Sequence, residues 1–112
     1  MKSELLIVIP AYNEEDNIEN VVSFIKEKYN QYDYIVVNDG SKDKTAEICY
    51  ERGYEILDLP VNLGIGGAVQ TGYKYACNHG YDCAVQVDGD GQHDPRFLEQ
   101  MLQVMQEKNW TC

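Results

Sequence analysis

Asp88 and Asp90 stand one residue apart in the segment Val85-Gln-Val-Asp-Gly-Asp-Gly-Gln-His-Asp-Pro95. If strand geometry persists through that segment, both carboxylates point to the same side, with Cα atoms roughly 7 Å apart and within reach of one cation. Two carboxylates about 4 Å apart repel by about 4 kcal/mol at an effective dielectric of 20, which a divalent metal or a protonation relieves. The residues before the pair, Cys83 to Val87, form an almost unbroken apolar run of a length that suits a buried parallel strand. After it, Asp94-Pro95 reads as the N-cap and first residue of a helix, where proline needs no donor and an aspartate oxygen accepts one. The acidic cluster therefore occupies a strand-to-helix turn.

Similar turns recur upstream. Leu5 to Ile9 reads as a first strand ended by Pro10, which cannot donate to a central ladder. Asn13 is then the expected N-cap of a helix whose Ile18, Val21, Val22, Ile25 and Tyr29 keep helical spacing. In the connection between them, Tyr12 offers a stacking or packing surface and Glu14 an acceptor, although Glu14, Glu15 and Asp16 also simply complement a helix dipole. Tyr34 to Val37 predicts a second strand running into Asn38-Asp39-Gly40-Ser41, followed by a helix from about Lys42 to Gly53. A weaker strand is expected over Tyr54 to Leu59, closed by Pro60.

The glycine-rich stretch Asn62 to Gly72 completes neither common nucleotide motif. Val69 stands where the last glycine of GxGxxG belongs, and Tyr73 where a P-loop requires lysine. What remains is an amphipathic helix with Ile65, Ala68, Val69, Gly72, Tyr73, Ala76 and Cys77 on one face, ended by Asn78-His79-Gly80. A last helix from Pro95 carries Leu98, Met101, Leu102 and Met105 along one side.

This alternation predicts an α/β fold, a mostly parallel sheet with helices on both faces, in a single domain over residues 1–112. Ligands of such sheets bind outside the carboxyl ends of the strands, where Glu14, Asp39, Asp88 and Asp90 all fall. With 19 acidic against 9 basic side chains the net charge is −10, which argues against nucleic acid or an anionic membrane surface as a partner. An anionic ligand then needs a metal or backbone donors. No apolar run is long enough to span a bilayer, and a cytoplasmic location is the expectation. Cys49, Cys77, Cys83 and Cys112 show no CxxC spacing and read as reduced thiols rather than a zinc site.

Val8-Ile-Pro-Ala-Tyr-Asn-Glu-Glu15, Val37-Asn-Asp-Gly-Ser41, Asn62-Leu-Gly64 and Val87-Asp-Gly-Asp-Gly-Gln-His93 together resemble the nucleotide-binding, Rossmann-like half of family 2 glycosyltransferases of the GT-A fold. The branch they look most like is that of dolichyl- or polyprenyl-phosphate hexose synthases. The resemblance implies that Pro10, Ala11, Tyr12 and Glu14 line a nucleoside pocket and that Asp39 hydrogen-bonds the base. It implies that Asp88 lies near the ribose and the metal, that Asp90 is the firmer ligand to Mg²⁺ or Mn²⁺, and that Gln92 is a further metal-side contact. The implied reaction is inverting transfer of a sugar from a UDP- or GDP-linked donor to a polyprenyl phosphate or a saccharide. Family members continue into an acceptor-binding half that holds the general base. This chain is therefore expected to be a fragment that binds a nucleotide-sugar yet transfers poorly alone, working at the cytoplasmic face of the membrane in the full-length protein.

Three rival readings are weighed against this one. A calcium loop places Asp88, Asp90, Gln92 and Glu99 at ligand positions, but His93 takes the position of the required glycine and a strand precedes it. A phospho-acceptor regulatory domain wants an acidic pair directly after the first strand, where Pro10-Ala11 stand. A nucleotidyltransferase usually carries a basic, glycine-rich loop where this chain has Asn13-Glu-Glu-Asp16. His93 reads as a turn residue rather than a base.

Overall fold

The computed structural model describes residues 5–87. Seven elements alternate: β1 (Leu5–Ala11), α1 (Ile18–Lys28), β2 (Asp33–Asp39), α2 (Thr45–Arg52), β3 (Ile56–Leu59), α3 (Gly64–Asn78) and β4 (Cys83–Gln86). The strands form one parallel sheet in the order β3-β2-β1-β4. The chain steps outward from β1 to β3, and α3 then carries it back across the sheet to the far side of β1. Strand order thus reverses beside β1, so the crevice at the carboxyl ends of β1 and β4 is the topological switch point where parallel sheets bind ligands.

Helices cover both faces, as the alternation predicts. Leu5, Ile7, Ile9 and Ala11 of β1 point into a core with Ile18, Val21, Val22 and Ile25 of α1, Val36 of β2, Cys49 of α2 and Val85. Each such aliphatic side chain contributes about 1.5–3 kcal/mol when fully buried. Leu6 and Val8 point the opposite way, with Ile35 and Val37, onto Ala68 and Ala76 of α3. The small residues of α3 let its backbone lie against the sheet, and a Cβ on Gly72 would overlap the Val8 side chain.

Several boundaries differ from expectation for identifiable reasons. β1 runs through Pro10 to Ala11 instead of stopping at Ile9. Alternate residues of a strand address alternate neighbours, and the carbonyl of Val8 accepts from the N–H of Val87, so the missing donor of Pro10 falls on the β4 side. There the ladder ends at Val8–Gln86, while the β2 side continues to Ala11–Asn38. Asn13 is not a helix cap: α1 starts at Ile18 after Asn17. α2 begins at Thr45 rather than near Lys42, and ends at Gly53 with φ 72°, the left-handed C-cap expected.

The buried stripe of α3 is narrower than its hydropathy suggests. Ala68, Gly72 and Ala76 are buried, whereas Ile65 is 63% and Tyr73 38% exposed. Close approach at the glycine and alanines fixes which side faces the sheet, and it leaves the bulkier neighbours outside. Cys49 and Cys83 are free thiols, while Cys77, on the exposed side of α3, is disulfide-bonded rather than reduced. The expected helix from Pro95 lies outside the described residues.

Candidate functional site

The described part of the rim consists of three segments that meet at the carboxyl ends of β1, β2 and β3. Pro10 and Ala11 end β1 and are buried, paired with Val37 and Asn38 of β2. Tyr12 follows, 42% exposed. Asn13 adopts the left-handed conformation with φ 55°, which asparagine tolerates better than most residues.

That connection is tied to the loop after β2. The N–H of Asn13 donates to Ser41 Oγ at 2.9 Å, and Asn13 Oδ1 accepts from the N–H of Lys42 at 2.9 Å. The N–H of Glu14 donates to Thr45 Oγ1 at 2.9 Å, and that of Glu15 to Asp43 Oδ2 at 3.1 Å. Thr45 in turn donates to Asp43 Oδ1 through both its hydroxyl and its backbone N–H. Burial pushes the Asp43 carboxyl up, but the hydrogen bonds from Thr45 and Glu15 outweigh it and hold it below its ordinary value. Glu14 is half-buried; its Oε2 accepts from Asn17 Nδ2 at 3.1 Å, and its carbonyl accepts from the N–H groups of Asn17 and Ile18.

A second tie joins β2 to the start of α3. Asp39 is 3% exposed; its Oδ1 accepts from the N–H of Leu63 at 2.7 Å, and its carbonyl from Asn62 Nδ2 at 3.0 Å. Among the described residues Oδ1 is the carboxylate oxygen engaged. Gly40, at φ 70°, makes this junction possible, since a Cβ there would lie 2.6 Å from the backbone nitrogen of Asn62. Asn62 Oδ1 also accepts from the N–H of Gly64 at 3.1 Å, satisfying one of the free donors at the start of α3. Asn38 Nδ2 donates to Asp58 Oδ1 at 2.8 Å, linking β2 to β3 from within the sheet edge.

Of the residues expected from sequence, Pro10, Ala11, Tyr12, Glu14 and Asp39 thus come to one end of the sheet. Asp88, Asp90 and Gln92 lie outside the described residues. The chain reaches Val87, 3% exposed, hydrogen-bonded to Val8 of the central strand. Among the described residues no group of three or more His, Cys, Asp or Glu side chains is placed to hold a metal ion. Sequence reading took Asn13 for a helix cap and passed over the bracing roles of Ser41, Asp43 and Thr45. Their signal was a run of short oxygen-bearing side chains between Gly40 and α2, the residue types that hydrogen-bond nearby backbone.

At the opposite end of the sheet, a cleft of about 440 Å³ is lined by Leu6, Ile25, Tyr32, Tyr34, Tyr75 and Tyr81 among others. It lies at the amino ends of the strands, away from the switch point. Tyr81 there donates to Asp33 Oδ2 at 2.6 Å, and burial first, then that carboxylate, pushes its hydroxyl up.

Residues 6–111 match the model of "Glycosyl transferase family 2". This chain belongs to that family. It is 37% identical over 116 aligned residues to the UDP-N-acetylglucosamine–dolichyl-phosphate N-acetylglucosaminyltransferase of Methanococcus voltae, covering 88% of this chain and 46% of that protein. It is 30% identical over 106 residues to the undecaprenyl-phosphate mannosyltransferase of Micrococcus luteus, covering 90% and 44%. In structure it resembles glucosyl-3-phosphoglycerate synthase of Mycobacterium tuberculosis, crystallised with Mn²⁺, UDP and glucosyl-3-phosphoglycerate. There the TM-score is 0.70 at 26% identity, over 90% of this chain and 39% of that one. The family chain therefore spans less than half the length of these relatives. The parallel sheet with two helical faces is the nucleotide-binding half expected of a GT-A glycosyltransferase. No helix among the described residues is long and apolar enough to cross a membrane.

Proposed function

We propose that this chain is the nucleotide-sugar-binding half of an inverting, metal-dependent glycosyltransferase whose acceptor is a polyprenyl phosphate. The observation that carries this reading is Asp39: a buried carboxylate at the carboxyl end of β2, locked through one oxygen, beside the braced connection that follows β1. A uracil or guanine base offers the N–H donors that such a carboxylate accepts. Tyr12 and Glu14 stand on the neighbouring loop to meet the nucleoside, with Pro10 and Ala11 forming the floor. The similar structure holding UDP and Mn²⁺ supports a pyrophosphate-bearing donor, and the two lipid-phosphate transferases support the acceptor class. Family membership favours this reading over the nucleotidyltransferase and the phospho-acceptor domain.

Asp88, Asp90 and Gln92 supply an all-oxygen donor set, which suits Mg²⁺ or Mn²⁺. Such a cation, when bound, offsets charge on the departing nucleoside diphosphate as a Lewis acid. In a chain of net charge −10, such a cation adds positive charge where a pyrophosphate would bind. A phosphate acceptor is already anionic at neutral pH and attacks without a general base, so the residues of this half need only bind and orient the donor. A lipid-phosphate acceptor would put the reaction at a membrane surface, which we propose is the cytoplasmic one.

Calorimetry tests the assignment. A nucleoside diphosphate is expected to bind about tenfold or more tightly with Mn²⁺ than with chelator, a gain of about 1.4 kcal/mol or more. Asp90→Ala removes that enhancement, whereas Asp39→Ala weakens binding with the enhancement intact. Equal affinity with and without the metal in the unsubstituted chain overturns the proposal.

A further inference from the structure

Building on the nucleotide reading, we infer that Asp43 and Thr45 are positioning residues for the nucleoside pocket, holding the Asn13–Glu15 backbone in the one shape that aims Tyr12 and Glu14 at a ligand. Neither residue belongs to the connection it controls; the bonds cross 28 to 31 positions of sequence.

The strength of the assignment lies in how the partners share atoms. Thr45 is fully buried, and its one hydroxyl accepts from the N–H of Glu14 while donating to Asp43. Asp43 uses Oδ1 for Thr45 and Oδ2 for the N–H of Glu15, so both carboxylate oxygens are committed. Two consecutive backbone donors, those of Glu14 and Glu15, are thereby fixed by two side chains that also fix each other. Just before them Asn13 sits at positive φ, a conformation that asparagine tolerates better than most residues and that its surroundings hold in place. The bond that Asn13 donates to Ser41 and the one it accepts from Lys42 impose it from the same loop.

Ordinary helix capping does not account for this arrangement. α1 begins only at Ile18, and its first turn is entered through the carbonyl of Glu14, which accepts from Asn17 and Ile18. Asp43 and Thr45 therefore brace the connection after β1 as well as the start of α2, where Asp43 accepts from the N–H of Thr45. A connection so held leaves the exposed side chain of Tyr12 as its variable part, while Glu14 is tied to Asn17 through one carboxylate oxygen. Pre-ordering of this kind raises ligand affinity by removing the entropy that binding must otherwise cost.

The test compares Thr45→Val, which keeps shape but loses both hydrogen-bonding functions, with Thr45→Ser, which keeps the hydroxyl, and Asp43→Asn, which retains only one acceptor oxygen. Each is made in the 112-residue chain. Binding of UDP and GDP with Mn²⁺ is measured beside amide hydrogen exchange at Glu14 and Glu15. Thr45→Val and Asp43→Asn are expected to weaken binding about tenfold and to speed exchange at those two amides, with Thr45→Ser close to the unsubstituted chain. Tyr50→Phe, which loses only a 3.3 Å bond to Asp58 on the outer strand, controls for a general loss of hydrogen bonding. If Thr45→Val fails to fold, the partly exposed Asp43→Asn carries the test. Folded variants with unchanged affinity overturn the positioning role alone. Absence of nucleotide binding by the unsubstituted chain overturns the functional reading and this inference with it.

Discussion

At the carboxyl end of the sheet the chain is held by short side-chain oxygens that accept from backbone N–H groups; at the amino end it is held by tyrosines. Ser41, Thr45, Asp43, Asp39 and Asn62 accept from the N–H groups of Asn13, Glu14, Glu15, Leu63 and Gly64 in turn. At the other end Tyr81 donates to Asp33, the Tyr34 hydroxyl accepts from the N–H of Glu55, Tyr75 stacks on His79 with ring centroids 3.9 Å apart, and Lys26 lies over Tyr54. The first scheme fixes backbone in the connections that follow the strands. The second mostly ties side chains to one another where the ladder has already fixed the backbone, and a cleft lies between its aromatic rings.

The sharpest way to break that contrast is Gly40→Val. Its positive φ and the 2.6 Å approach of Asn62 leave no room for a branched side chain, so a loss of about 3 kcal/mol or more is expected. Urea denaturation measures it, and an unmoved midpoint would show that residues 61–62 yield freely. Tyr81→Phe probes the other end. Losing the bond to Asp33 costs about 1 kcal/mol by the same assay, with nucleotide affinity untouched. A joint loss of stability and affinity would mean that the two ends are not separate.

The smallest effect is read in acid. Hydrogen bonds to the ionised Asp43 hold its folded value below the ordinary 3.8, so its contribution is complete above that value and disappears as pH falls through the folded one. The stability difference between the unsubstituted chain and Asp43→Asn should stay constant above about pH 5 and close below 3.8. A gap that persists into strong acid would assign the effect to shape rather than charge. Being partly exposed, Asp43 contributes less than its hydrogen bonds alone suggest.

Much of the fold was legible because burial leaves a period. The unbroken apolar run Leu5 to Ile9, buried on both faces, and the helical spacing of Ile18, Val21, Val22 and Ile25 both appear in the core. The carboxyl-end position of Asp39 followed from strand and turn chemistry alone. The bracing of Asn13 to Glu15 was not legible, since hydrogen bonds between loops some 30 positions apart leave no pattern in hydropathy. The same blindness misread Asn13 as a cap, because asparagine suits both a helix start and a left-handed turn. Ile65 and Tyr73 were placed inward because hydropathy does not report how near a backbone comes. Pro10 was read as a stop because one-dimensional reasoning cannot know which neighbour its missing donor faces.

That closeness at Gly72 reaches beyond packing. With its backbone resting on Val8, α3 is restricted in rotation, since turning it by one residue, about 100° with a rise of about 1.5 Å, would bring Thr71 or Tyr73 against the central strand. The start of the helix inherits that datum, so Leu63 arrives opposite Asp39 without adjustment, and a glycine in the middle of a helix acts as the gauge block that sets the far wall of the rim.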